Sequence, residues 1–150
     1  MKKLFWLIPV FAALLLAACG TAPAKQAAPV SSEAITGQKV AVSGGGEYTN
    51  ITVNDLEEML KNKDFLFVNV HIPYAGDLPN TDLSIPYNEI DQHLDQLPAE
   101  KDARIVLYCR SGHMSRIAAE TLAGLGYSNV ANLEGGMVAW EQAGLPMEGG

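Results

Sequence analysis

The sequence predicts one α/β domain in which a central parallel sheet of about five strands is flanked by helices. Two hydrophobic runs, FLFVNV (residues 65–70) and RIVLY (residues 104–108), have the length and composition of strands buried on both faces. Segments with helical periodicity lie between and after them. Strands that alternate with helices form parallel sheets, because each crossover returns the chain to the same end of the sheet.

The first half of the predicted domain begins with a short β-prone segment, residues 48–51, and a helix. Thr52 followed by Asp55 is typical of the capping box that starts a helix. After the FLFVNV strand, prolines and a glycine indicate a loop. A second helix is expected over residues 88–97, ended by Pro98.

The second half alternates regularly after the RIVLY strand. Small and apolar residues recur at helical spacing over residues 114–125, and Gly126 is a typical residue to follow a helix end. Residues 129–133 (NVANL) predict another strand. A last short helix is expected over residues 137–143.

Residues 1–18 have the pattern of a secretion signal. Lys2 and Lys3 precede an apolar run that is shorter than the ~20 residues of a membrane span. The run ends in LAAC, which resembles the lipobox of bacterial lipoproteins. In that family the peptide is cut before the cysteine, and the cysteine sulfur carries a diacylglycerol. The resemblance implies a lipidated Cys19 and an extracytoplasmic, membrane-anchored protein; the alternative is an ordinary secretion signal.

The composition then separates a tether from a domain. Residues 19–46 are rich in Ala, Pro, Ser, Gln and Gly, so we expect a flexible tether there and a single folded domain over residues 47–148. The formal charge is −7 (10 basic, 17 acidic residues) and becomes −9 without the two signal lysines. An acidic domain argues against nucleic acid as a partner and leaves membrane attachment to the lipid.

Two cysteines in an exported protein would ordinarily suggest a disulfide. Lipidation of Cys19 prevents that pairing and leaves Cys109 as a lone thiol. Cys109 directly follows a buried strand and lies in the segment YCRSGHMSR, about five residues before a helix. The helix N-terminus, the backbone N–H groups of a turn at Gly112 and the charge of Arg110 would all favour a thiolate. A buried, inert cysteine is the alternative.

Residues 105–146, IVLYCRSGHMSRIAAETLAGLGYSNVANLEGGMVAWEQAGLP, closely resemble the second half of rhodanese-like sulfurtransferase domains. The matching features are the buried strand, the CRSG-type cysteine loop, the alanine-rich helix, LGY, and the GG…AW segment. The first half is looser: Asn69, Val70 and His71 stand where the family usually has Asp-Val-Arg, and the loop over residues 72–85 departs from the pattern.

The resemblance implies transfer of a sulfane sulfur through a persulfide on Cys109, which makes a dissociable cofactor unnecessary. The donor would be thiosulfate or a persulfide, and the acceptor a thiol, cyanide or a protein. The loop residues expected to bind the persulfide are Arg110, Ser111, Gly112, His113, Met114 and Ser115. Many family members carry a basic residue near Met114, so a weaker attraction for doubly charged thiosulfate is our hypothesis. For His113, a role toward substrate and simple exposure remain equally open.

Three other chemistries fit less well. A phosphatase of the Cys-x5-Arg type needs arginine where Ser115 stands, and Arg116 is one residue too far. A thiol–disulfide oxidoreductase needs a resolving cysteine near Cys109. A metal site lacks ligand spacing among Cys109 and the three histidines. A different class remains as the alternative: a persulfide carrier or protein-binding module without turnover.

Overall fold

The computed structural model describes residues 31–149 and contains a six-stranded sheet with helices on both faces. The strands are β1 (Gln38–Ala41), β2 (Glu47–Ile51), β3 (Leu66–Asn69), β4 (Leu83–Ser84), β5 (Ile105–Tyr108) and β6 (Val130–Leu133). The helices are α1 (Val53–Lys61), α2 (His113–Gly124) and α3 (Gly136–Gln142). In the order β1-β2-β6-β5-β3-β4, every strand pair except β1–β2 is parallel. The predicted α/β class is confirmed.

Strand β5 lies inside the sheet between β6 and β3, and both of its faces are buried. Ile105 and Leu107 pack in a hydrophobic cluster that includes α2, whereas Val106 and Tyr108 pack in a second cluster that includes α1 and α3. This alternation explains why the RIVLY run is continuously hydrophobic. It also sends the chain out of the sheet at Cys109, on the side covered by α2.

The capping box that begins α1 is confirmed. The Thr52 hydroxyl accepts a hydrogen bond from the Asp55 N–H at 3.3 Å, and the Asp55 carboxylate accepts one from the Thr52 N–H at 2.8 Å. The predicted helix over residues 88–97 is wrong. Two short 3-10 turns, Ile90–Gln92 and Leu94–Gln96, replace it.

The structure also differs from the predicted flexible tether over residues 31–46. Strand β1 lies in this segment and pairs with β2. Ile35 is only 2% exposed, and the Asn129 side chain accepts a hydrogen bond from the Ile35 N–H and donates one to the Glu33 carbonyl. Folded structure therefore begins well before the predicted start at residue 47.

The predicted signal peptide, Cys19 and residues 20–30 lie outside the described residues. Within residues 31–149, no helix has both the length and the hydrophobicity needed to cross a membrane.

Candidate active site

Cys109 follows β5 directly, and its loop leads into α2. Gly112 is the residue before the helix and has a left-handed φ of +86°. A Cβ atom at this position would come within 3.1 Å of the Gly135 backbone nitrogen. Glycine is therefore required both by the turn and by the close approach of a second loop.

Cys109 is buried, with only 1% of the residue exposed. Its Sγ accepts a hydrogen bond from the Gly112 N–H at 3.1 Å, and the Ser115 hydroxyl lies 3.4 Å away. The sulfur stands at the N-terminus of the 12-residue helix α2. A backbone N–H donor and a helix N-terminus both stabilise negative charge, so the geometry suits a thiolate or a persulfide anion.

The start of α3 packs against the cysteine loop and is hydrogen-bonded to its backbone. The N–H groups of Met137 and Val138 donate to the carbonyl groups of Cys109 and Arg110, each at 3.0 Å. A Cβ atom on Gly136 would lie 2.1 Å from the Cys109 carbonyl oxygen. Gly135 and Gly136, at the start of α3, and the buried Trp140 are therefore packing and turn residues.

Charged and polar side chains surround the loop. Arg116, which approaches His113 Nδ1 at 3.3 Å, lines a cleft of about 270 Å³ beside the loop. Asn50, Ser111, Asn132 and Glu134 also line this cleft.

His71 follows β3, the neighbour of β5, and therefore lies at the same edge of the sheet as the cysteine loop. Burial, and then the charge of Arg110, lower the pKa of His71, so its ring is neutral at neutral pH. Its Nδ1 is buried and makes no hydrogen bond within residues 31–149.

The loop over residues 72–85, which departs from the family pattern, is tied down by side chains of the neighbouring strands. The Asn69 amide donates to the Gly76 carbonyl at 3.0 Å and to the Asp77 carboxylate at 2.8 Å. The buried Tyr108 hydroxyl accepts from the Leu78 N–H and contacts Asp77. Burial raises the pKa of Tyr108, which stays a neutral hydrogen-bonding group.

The structure brings some of the predicted site residues to the sulfur and places others at the rim. Gly112 and Ser115 contact Sγ directly. Arg110, Ser111 and His113 are exposed. Met114 is partly buried and packs against the hydrophobic cluster on the α2 side. Within residues 31–149, no group of three His, Cys, Asp or Glu side chains is arranged to hold a metal ion.

Sequence reasoning missed the polar residues behind Ser115. Its hydroxyl donates to Asn132 Oδ1 at 2.7 Å, and Asn132 Nδ2 donates to Asn50 Oδ1 at 2.9 Å. Asn132 is 4% exposed on β6, and Ser115 is fully buried. The available signal was Asn132, a polar residue inside the otherwise apolar strand VANL.

Known proteins resemble this chain in sequence and in fold. The family model of the rhodanese-like domain matches residues 52–143. A sulfurtransferase of Allochromatium vinosum is 34% identical over 94 residues, which are 61% of this chain and 85% of that protein. The thiosulfate sulfurtransferase GlpE of Vibrio cholerae is 29% identical over 103 residues, or 67% of this chain and 95% of that protein. Several other curated relatives are longer, and the chain spans less than two thirds of their length.

The crystal structure of a rhodanese-related protein from Thermoplasma volcanium matches with a TM-score of 0.55 and 30% identity, covering 65% of this chain and 95% of that one. The family-model match covers more than half of the chain and includes the whole cysteine loop, α2 and α3. The chain therefore belongs to the family of rhodanese-like domains.

Proposed function

We propose that this protein is a sulfurtransferase that carries a sulfane sulfur as a persulfide on Cys109. Family membership and the sulfurtransferase relatives support a sulfurtransferase or sulfur-carrier role. The observation that carries the finer proposal is the placement of the sulfur. Cys109 Sγ accepts the Gly112 N–H at the N-terminus of α2, where an anion is stabilised without a general base.

With thiosulfate as donor, the Cys109 thiolate attacks the outer sulfur. The S–S bond of the donor breaks, sulfite leaves with the bonding electron pair, and Cys109 becomes a persulfide. A thiolate acceptor or cyanide then attacks the terminal sulfur, which regenerates the Cys109 thiolate. A low-molecular-weight persulfide also serves as donor, with a thiolate as its leaving group. Arg110, exposed at the loop rim, would attract either anion.

Turnover separates an enzyme from a carrier. The full chain is incubated with excess donor and excess acceptor thiol, and the persulfide or sulfite released is measured per mole of protein. A sulfurtransferase gives many equivalents, and Cys109→Ser gives none above background. Release of one equivalent followed by no further release would instead indicate a persulfide carrier without turnover. The burial of Cys109 favours this second candidate function. Equal rates in the two proteins would refute the proposal.

We also propose that a lipid on Cys19 anchors the domain outside the cytoplasm, on the sequence pattern alone. Cys19→Ala should leave the protein unprocessed at its N-terminus and should abolish metabolic labelling with a fatty acid. Unchanged processing and unchanged membrane fractionation would contradict the anchor, and would leave the sulfur chemistry of Cys109 unaffected.

A further inference from the structure

A chain of three side chains runs from the Cys109 sulfur to the cleft beside the loop. Ser115 Oγ lies 3.4 Å from Sγ and 2.7 Å from Asn132 Oδ1, and Asn132 Nδ2 lies 2.9 Å from Asn50 Oδ1. We call Asn50, Asn132 and Ser115 the amide chain. Asn50 lies partly exposed at its outer end, where it lines the cleft.

The Ser115 hydroxyl can donate only one hydrogen bond at a time. A serine hydroxyl has one proton, and two acceptors lie within its reach, Asn132 Oδ1 at 2.7 Å and Cys109 Sγ at 3.4 Å. When that proton is donated to Asn132, which is the shorter contact, Ser115 is only an acceptor toward Cys109, and this arrangement suits a thiol that donates its S–H. It does not suit a sulfur anion, which needs a donor.

A half-turn of both amide groups reverses the direction of the whole chain and preserves every hydrogen bond. Asn50 Nδ2 then donates to Asn132 Oδ1, and Asn132 Nδ2 donates to Ser115 Oγ. The Ser115 proton is released toward Sγ, which adds a second donor to the Gly112 N–H. Because Ser115 and Asn132 are buried, no solvent water substitutes for this partner.

We propose that Asn132, held by Asn50, is a positioning residue that lets Ser115 accept a hydrogen bond from the Cys109 thiol and donate one to the sulfur anion. This role rests on the proposed function only in requiring that Cys109 works as an anion. The charged and titratable groups around the loop are Arg110, His71, His113, Arg116 and Glu134, and the substitutions below change none of them.

The test follows the thiolate of the full chain by its ultraviolet absorbance as pH is raised. For each protein, the absorbance of the same protein carrying Cys109→Ser is subtracted. This subtraction removes the signals of the tyrosines and of Cys19. Asn132→Asp places an oxygen-only acceptor against Ser115 and holds its proton away from sulfur. We expect the midpoint of thiolate formation to move up by about one pH unit. At any pH well below the midpoint, this change lowers the fraction of thiolate about tenfold. Ser115→Ala should move it in the same direction.

A double-mutant cycle separates the hydroxyl from the added charge. If the proposal is correct, Asn132→Asp moves the midpoint less than half as far in a Ser115→Ala background, because the hydroxyl is already lost. An equal movement in both backgrounds would show that the carboxylate acts on sulfur through space, and would overturn the proposal. No movement in either background would also overturn it.

Two further variants protect the test from a folding defect. Asn50→Asp, at the partly exposed end of the amide chain, fixes the same direction of hydrogen bonds and should also raise the midpoint, again less in Ser115→Ala. Asn129→Asp is the matched control: Asn129 is buried, but its side chain bonds Ile35, Glu33 and Asp102. It should lower the free energy of unfolding and leave the midpoint unchanged. Thiolate absorbance needs no sulfur donor, so absence of sulfur transfer is a separate result.

Discussion

At the scale of single residues, the groups that contact the buried sulfur are different from the charged side chains exposed on the loop. The Gly112 N–H and the Ser115 hydroxyl contact Sγ, whereas Arg110 stands exposed at the rim. His71 adds no positive charge at neutral pH, because burial and Arg110 both lower its pKa. Attraction of a doubly charged donor therefore depends on few side chains, and Met114 contributes none.

Met114 gives the first prediction. Met114→Lys should raise kcat/KM for thiosulfate about fivefold relative to glutathione persulfide, because thiosulfate has two charges on its reacting group and the persulfide group has one, so that a charge added on the cysteine loop favours thiosulfate by about 1 kcal/mol. Met114→Leu keeps the apolar packing and should leave the ratio unchanged. The ratio is measured by steady-state kinetics with both donors at low salt. Equal gains with both donors would show that position 114 does not select between them.

The position of Cys109 between a buried strand and a helix could be predicted from the sequence, because both elements are visible in the local pattern. The amide chain was not predictable in the same way. Asn50 and Asn132 are 82 positions apart, and they meet only because β2 and β6 are neighbours in register. A contact set by strand order leaves no trace in local periodicity.

At the scale of elements, α3 and the cysteine loop form one unit through two backbone hydrogen bonds and the glycine contact. Gly136→Ala should therefore displace the loop and reduce sulfur loading of Cys109 by at least about tenfold, the effect of about 1.4 kcal/mol. Loading is measured by mass spectrometry at early times.

Gly144→Ala is the control for this prediction. Gly144 also has a positive φ, of +79°, but a Cβ atom there meets nothing within 4 Å. Both variants bear the backbone cost of a left-handed residue, about 1–2 kcal/mol. A similar loss of loading in both would mean that stability, and not the position of the loop, limits the reaction.

Prediction of elements succeeded where burial gave a strong pattern. The strands β3, β5 and β6 are buried at every residue, and α1 has both a capping box and an apolar stripe. It failed between Pro86 and Pro98, where the apolar positions Ile90 and Leu97 are buried by 3-10 turns. Apolar spacing alone does not distinguish a short helix from turns that bury the same residues.

At the scale of the whole molecule, residues 31–46 belong to the folded body. β1 covers the edge of β2, and Ile35 packs with residues from α1, α3 and the sheet. The four-residue strand is too short to be recognised without its partner. The sequence therefore indicated a linker where the fold has an edge strand.

Ile35 provides the corresponding stability prediction. Ile35→Ala should lower the free energy of unfolding by about 2–4 kcal/mol, because it opens a cavity beside buried side chains. Thr36→Ala, at the exposed neighbouring position, should change it by less than about 0.5 kcal/mol. Both values come from urea unfolding. If Ile35→Ala left the free energy of unfolding unchanged, this result would support the flexible segment that the sequence predicted.

The central claim is that Cys109 carries the transferred sulfur. Mass spectrometry of the purified protein after incubation with thiosulfate or glutathione persulfide tests it most directly. We predict a gain of one sulfur atom, located on Cys109 by peptide mapping, removed by an acceptor thiol, and absent in Cys109→Ser. A chain that gains no sulfur from either donor, or gains it equally in Cys109→Ser, would contradict the account.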